Sequence, residues 1–486
     1  MKRRTFLRSI GRGAAGVALA AGAGLAPVAA ARAWAAEPRP ANLVLILADN
    51  QGAWTLGCYG NPDIRTPNID RLAREGVRLT RAFSCNAVCS PTRATTLTGL
   101  IPSQHGVHCY LAAGGAQVGP RAHSTIAEFR TLPEILAEAG YACGLVGKWH
   151  LGDNLRPQDG FAAWVTMPHG HTTTFYGAEV IEDGRVRIEP GYLTDFWTAR
   201  AVRFIERSRD RPFFLYLAYN GPYGLGQSLS QPARNRHAAY YAEMPMTSFP
   251  RGEPHPWLKN NRQFLGNVQA MRRYAAEASG VDDGVGEVLA ALERLGLDER
   301  TLVVYTADQG WGGGQHGIWG MADHTRPLHA FDETMHVPFI VRHPGVAPAG
   351  RTADLMVSGY DTMPTLLGCL GLGGRMAAPP PPPGRDFSAA LRGRQIAWQN
   401  EVYYEFENTR AVRTPEWKRI RRHPDGPHEL YDLAADPGET RNLADDHARA
   451  AARASLDERL DAFFRRYADP QYDLWRGGRS KAGRLT

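Results

Sequence analysis

Leu43-Val44-Leu45-Ile46-Leu47-Ala48 is an apolar run with no polar alternation, and it stops abruptly at Asp49-Asn50-Gln51-Gly52. A strand that is apolar on both sides needs cover on both sides, which is the situation of a central strand in a parallel sheet. Leu302-Val303-Val304-Tyr305-Thr306 repeats the plan and runs into Asp308-Gln309-Gly310. Ala142 to Gly147, Phe213 to Ala218 and Val337 to Val341 are further strand candidates. Between them, Thr66-Pro67 opens a helix that Gly76 closes, and Thr131-Leu132-Pro133-Glu134 is a capping box for a helix ended by Gly140. Strands alternating with helices predict a layered α/β sheet. Ligands gather beyond the carboxyl ends of such strands, where Asp49-Asn50, Lys148-Trp149-His150, Asn220-Gly221-Pro222-Tyr223 and Asp308-Gln309 all fall.

Met1 to Ala35 reads as a twin-arginine-type export signal: Arg3-Arg4-Thr5-Phe6-Leu7 precedes a small-residue apolar run, and Ala33-Trp34-Ala35 offers a cleavage site. A periplasmic or secreted protein without a permanent membrane anchor is expected. The signal carries six cations and no acid, so without it the net charge falls from +7 to +1. That removes any global electrostatic argument for nucleic acid or membrane binding. The six cysteines are too sparse for a disulfide scaffold and contain no Cys-x-x-Cys pair. The proline run within Ala377 to Gly384 cannot be regular structure and divides the chain into a catalytic domain, 36–394, and a smaller C-terminal unit, 395–486.

Three constellations carry chemistry. Cys89-Ser90-Pro91-Thr92-Arg93 starts a helix that Thr98-Gly99 closes, with Arg93 one turn beyond Cys89 on the same face. Taken alone, Cys89 is equally a buried structural cysteine. The two strand-end pairs, Asp49-Asn50 and Asp308-Gln309, offer only hard oxygen donors, which favours Ca²⁺ or Mg²⁺ over zinc or copper. Each alone is equally a turn or helix cap. In an extended Lys148-Trp149-His150, Lys148 and His150 point together toward one anion and Trp149 points away.

The run Cys89-Ser90-Pro91-Thr92-Arg93 with Leu97-Thr98-Gly99 resembles the signature of the type I, formylglycine-dependent sulfatases of the alkaline phosphatase superfamily. Gly147-Lys148-Trp149-His150-Leu151-Gly152 matches a second family motif, and Glu429-Leu430-Tyr431-Asp432-Leu433 with Asp436-Pro437 matches a third. The resemblance implies a large central mixed, mostly parallel sheet flanked by helices, plus a smaller C-terminal α+β subdomain with an antiparallel sheet. It also implies a formylglycine at Cys89, made by a formylglycine-generating enzyme before export, and a divalent metal held by Asp49, Asn50, Cys89, Asp308 and Gln309. The metal would be Ca²⁺, with Mg²⁺ as the alternative. Lys148 would contact sulfate and His150 would orient or deprotonate the formylglycine hydroxyl.

Four positions depart from the family pattern. Asn50 stands for a second aspartate and Gln309 for an asparagine. Tyr223 follows Pro222 where a histidine acid is usual, and Met321 stands where a lysine is usual. His169, His171, His324 and His329 are candidates for the acid, His324 foremost, and Arg326 for the lost cation; His324 and Arg326 also read as ordinary loop residues. The implied activity is hydrolysis of a small-molecule, aryl or carbohydrate sulfate ester. Hydrolysis of phosphonate monoesters or phosphodiesters, and glycan binding without catalysis, are the alternatives. Gly224 to Phe264, with Tyr240, Tyr241, Trp257 and Arg262, reads either as a sugar-stacking wall or as loop packing.

Overall fold

A computed structural model describes residues 42–376 and 380–486. The predicted signal, Met1 to Ala35, and Ala377 to Pro379 of the proline-rich stretch lie outside the described residues. The predicted apolar runs are strands: β1 (Asn42–Asp49), β3 (Ala142–Gly147), β7 (Phe213–Pro222) and β8 (Thr301–Ala307). They are joined by β2 (Val77–Phe83), β4 (Ala163–Thr166), β5 (Tyr176–Glu182), β6 (Arg185–Tyr192), β9 (His336–Arg342) and β10 (Arg351–Ser358). The ten strands form one sheet in the order β10-β2-β9-β8-β1-β7-β3-β4-β5-β6.

The central four, β8-β1-β7-β3, are all parallel, with Leu45 of β1 level with Tyr216 of β7 and Val304 of β8. Every residue of these four strands is buried. That is why their sequences lack the two-residue alternation of a half-exposed strand. Because the strands are parallel, their carboxyl ends share one rim, and the loops carrying Asp49, Lys148, Tyr223 and Asp308 emerge side by side. Backbone bonds tie the rim together: Tyr223 N–H donates to the Asp49 carbonyl at 3.1 Å, and Asp308 N–H to Ala48 at 3.0 Å.

Helices flank the sheet. The helix predicted from Thr66-Pro67 is α1 (Pro67–Arg74), α2 (Cys89–Thr98) follows, and the capping box begins α3 (Leu132–Glu138). The box forms as expected, Glu134 N–H donating to the Thr131 hydroxyl and Thr131 N–H to the Glu134 carboxylate. The long helices α4 (Leu193–Ser208) and α5 (Val268–Arg294) pack on each other and on β7. Asp282 of α5 accepts the Asn68 and Ile69 N–H groups, capping the start of α1 from another helix.

A separate four-stranded antiparallel sheet follows: β11 (Val402–Phe406), β12 (Thr409–Arg413), β13 (Trp417–Arg422) and β14 (Glu429–Asp432). The helix Ala450–Tyr467 packs against it. All six cysteines are free. Among the described residues, no helix is long and apolar enough to cross a membrane.

Gly147 ends β3 at φ +109°, and a Cβ there would be driven into the Ala218 carbonyl oxygen of β7. The next residue, Lys148, donates its own N–H to that oxygen at 2.7 Å. Only glycine allows the turn and the close approach together. Gly147→Ala is expected to lower stability by about 2 kcal/mol or more, read as a drop in the denaturant midpoint.

Candidate active site

The floor of the site is built from the four strand ends and the first turn of α2. Val88, the residue before that helix, is extended, Cys89 is the first helical residue, and Gly99 ends it in the left-handed conformation, its N–H donating to the Thr95 carbonyl at 2.8 Å. All ten residues of α2 are buried. Arg93 therefore enters the protein under Cys89, where its Nε and Nη2 donate to Asp308 Oδ2 at 3.1 and 2.6 Å. Its Nη1 donates to the Lys148 carbonyl at 2.6 Å, and Nη2 reaches Asp49 Oδ2 at 3.4 Å. The Lys148 ammonium pairs with the same Asp49 oxygen. Two carboxylates and two cations, all without solvent exposure, thus neutralise each other.

Cys89, Asp49 and Asp308 bring one potential ligand atom each within 4.8 Å of one another. The thiol lies 3.8 Å from Asp49 Oδ1 and 3.5 Å from Gln309 Nε2. Gln309 Nε2 also donates to Asn50 Oδ1, while its Oε1 accepts from the Thr92 hydroxyl at 3.1 Å. All five residues predicted to hold a metal are therefore in one cluster. Burial and the Asp49 charge push the Cys89 thiol up to about 12, against the pull of Lys148. Burial and Asp49 likewise raise Asp308, with Arg93 and Lys148 pulling it back.

Above this floor opens a cleft of about 310 Å³. Cys89, Tyr223, His171, Asp323, His324 and Arg326 are among its lining residues. Tyr223 has φ +43°, and its ring lies 5.3 Å from the Lys148 ammonium. Burial and the Cys89 and Asp49 charges hold its phenol well above the ordinary value, which makes it a hydrogen-bond donor and not a working acid. His324 behaves differently. Burial opposes its charge, but the Asp323 carboxylate, 2.7 Å from Nδ1, more than offsets this and raises its pKa. Arg326 donates through Nη1 to the Asp323 and Thr325 carbonyls at 2.9 and 2.7 Å.

His150 and Trp149 take opposite directions as expected, but not by strand alternation. His150 sits at φ +61° in a turn. Trp149 packs in the core against Phe161 and Trp164, while His150 is buried beside His171 with ring centroids 5.7 Å apart. His150 Nε2 bonds to the Leu111 carbonyl at 2.9 Å, which puts its proton on Nε2 and leaves Nδ1 as the basic nitrogen. Nδ1 is buried and has no hydrogen-bond partner among the described residues. Burial, then Lys148, hold the ring neutral. Of the other candidate acids, His171 is lowered to about 4 by burial and Lys148. His329 is lowered by burial and bonds to Thr325, and neither it nor His169 lines the cleft.

Several lining residues carried no sequence signal. Tyr110, Asn260, Asn261 and Leu485 come from irregular segments, and Gln227 from the short 3-10 helix Gly226–Leu229, all without a motif. The aromatic residues of 224–264 do not face the cleft. Tyr241 is buried with its hydroxyl bonded to Ser279, Tyr240 stacks on Arg65, and Trp257 on Arg422. From that segment the amides Gln227, Asn260 and Asn261 line the wall, together with Leu225 and Gly226.

The family model described as Sulfatase matches residues 41–372, more than half of the chain. The chain belongs to the sulfatase family. A second model, described as N-sulphoglucosamine sulphohydrolase, C-terminal, matches residues 317–466. The sulfatase is 31% identical to the N-acetylgalactosamine-6-sulfatase of Canis lupus familiaris, over 81% of this chain and 76% of that protein. It is 25% identical to the N-acetylglucosamine-6-O-sulfatase of Bacteroides thetaiotaomicron, over 90% of this chain and 88% of the other. A solved structure in complex with its substrate D-glucosamine-2-N,6-O-disulfate superposes with a TM-score of 0.70 at 25% identity, covering 88% of this chain and 98% of that one. With these relatives, the protein is a sulfuric ester hydrolase.

A thiol with a pKa near 12 is ionised at pH 8 in only about one molecule in ten thousand. Protein made without a modifying enzyme should therefore keep Cys89 unalkylated by iodoacetamide while folded and alkylate it fully once denatured. Mass spectrometry of the Cys89 peptide reads both states.

Proposed function

We propose that this sulfatase hydrolyses carbohydrate sulfate esters, using a formylglycine made from Cys89 and a divalent cation, Ca²⁺ or alternatively Mg²⁺. The observation that carries the reading is the convergence of Cys89, Asp49 and Asp308 beneath a cleft, with Arg93 and Lys148 buried among them. Amide oxygens and carbohydrate hydroxyls suit each other, which fits the Gln227, Asn260 and Asn261 wall. The sulfated-sugar names of the relatives support the same substrate class.

The residues present fit both implied groups. Asp49, Asn50, Asp308 and Gln309 offer hard oxygens suited to Ca²⁺. Among the described residues the side-chain nitrogen of Asn50 is buried without a hydrogen-bond partner, and the Thr92 hydroxyl serves either end of the Gln309 amide, so a half-turn of that amide offers its oxygen to the cluster. An unmodified thiol held near 12 is a poor nucleophile, whereas an aldehyde hydrate needs no thiolate. When bound, these groups supply an attacking hydroxyl and positive charge at the sulfate oxygens.

The chain's own residues supply the rest. Arg93 and Lys148 fix positive charge under the anion before it arrives, so little reorganisation is needed as charge develops. Arg326 lies on the cleft wall as a replacement cation for the lysine absent at Met321. His150, neutral and with Nδ1 open, accepts a proton. His324, its pKa raised by Asp323, donates one to the departing oxygen, and Tyr223 adds a hydrogen bond. We propose in addition that the protein is exported, as its first 35 residues suggest.

Active protein should yield a Cys89 peptide in which one oxygen replaces sulfur and two hydrogens, and Cys89→Ala or a chelator should abolish sulfate release from N-acetylhexosamine 6-sulfates. An active enzyme with an intact thiol would overturn the reading, as would faster turnover of phosphonate monoesters or phosphodiesters. The pH profile tests the acid. His324 must be protonated to act, so kcat/KM falls as pH rises through its raised pKa. Asp323→Asn removes the raising charge but not the burial, so that alkaline limb should move to lower pH.

A further inference from the structure

One cleft residue comes from a segment that neither family model reaches. The models end at 372 and 466, yet residues 480–486 return to the site and contribute Leu485 to the wall that also holds Cys89, Tyr110, His324 and Arg326. This return is pinned at two places. Upstream, Lys481 N–H donates to the Gly106 carbonyl at 2.7 Å, and its ammonium to the Thr125 carbonyl at 2.9 Å. Downstream, the Glu407 carboxylate accepts the Leu485 N–H at 2.7 Å, and the Thr486 N–H and hydroxyl at 2.8 and 2.7 Å.

Glu407 is an unusual anchor. It occupies the turn between β11 and β12 at φ +48°, a conformation glycine adopts more easily, and it is fully buried. A buried carboxylate at that turn is tolerable because its oxygens are filled with donors, and those donors come from residues 485 and 486. The segment is thus held by charge-assisted bonds, not merely by packing. Leu485 itself is half-buried against the second apolar cluster and adds an aliphatic side chain to a wall that holds Val88, Leu225 and Met321 among its polar groups.

We propose that Leu485 is a specificity-determining residue of the cleft, contacting the organic group that bears the sulfate, and that Glu407 is the positioning residue that holds it there. This rests on the cleft being the sulfate-ester site. An aliphatic contact on the leaving group adds binding to the whole substrate and none to the free anion, so it acts on KM and leaves sulfate itself unaffected.

The test compares two esters, N-acetylglucosamine 6-sulfate and 4-nitrophenyl sulfate, with inorganic sulfate as a product inhibitor. For any ester that the wild type turns over, Leu485→Trp and Leu485→Ala should each change KM by about tenfold while kcat and the sulfate inhibition constant stay within about twofold. Glu407→Gln should change KM in the same way as Leu485→Ala, and speed hydrogen exchange at the Leu485 and Thr486 amides. Unchanged KM in both Leu485 variants, or a sulfate constant that moves with KM, overturns the inference. A wild type that neither cleaves an ester nor binds sulfate would instead overturn the reading of the cleft.

Discussion

The buried contact between Arg93 and the carboxylates of Asp308 and Asp49 is the joint on which the site turns. It links the first helix after β2 to the ends of β1 and β8, and through Nη1 to the loop after β3. A lone buried charge costs several kcal/mol, so such a cluster persists only when each member has its partner. Lys148 completes the balance at Asp49. Taking away any one of the four charges strands another in the interior, at a cost of about 3–5 kcal/mol. The arrangement that sets two cations beneath the cleft is therefore also the arrangement that joins the strands.

Around this joint, similar side chains are driven apart by their surroundings. His150 and His171 are held neutral by burial and Lys148, while Asp323 raises His324 against its burial. Three histidines near one cleft are thus shifted in opposite directions by their neighbours.

The central strands could be read from the sequence because full burial leaves a continuous apolar run, and the Thr131 box and Gly99 stop mark helix ends by local chemistry. The floor of the site could be read too, since Asp49, Lys148, Tyr223 and Asp308 lie at strand ends. The upper walls could not. Tyr110, Asn260, Asn261 and Leu485 reach the cleft along irregular backbone with no period to follow. Aromatic content misleads for 224–264, because Tyr241 and Trp257 satisfy packing and cation contacts elsewhere. His324 stands foremost by its place after the Asp308 loop, but its 2.7 Å approach to Asp323 is not fixed by sequence order alone.

The complete burial of α2 sets a clock. Any catalyst that remakes the Cys89 side chain must handle several residues on either side of it, and in the finished protein none of them can be grasped. Such editing therefore belongs to the nascent chain, in the interval between its synthesis and the docking of that helix. A molecule that folds first is committed to its thiol.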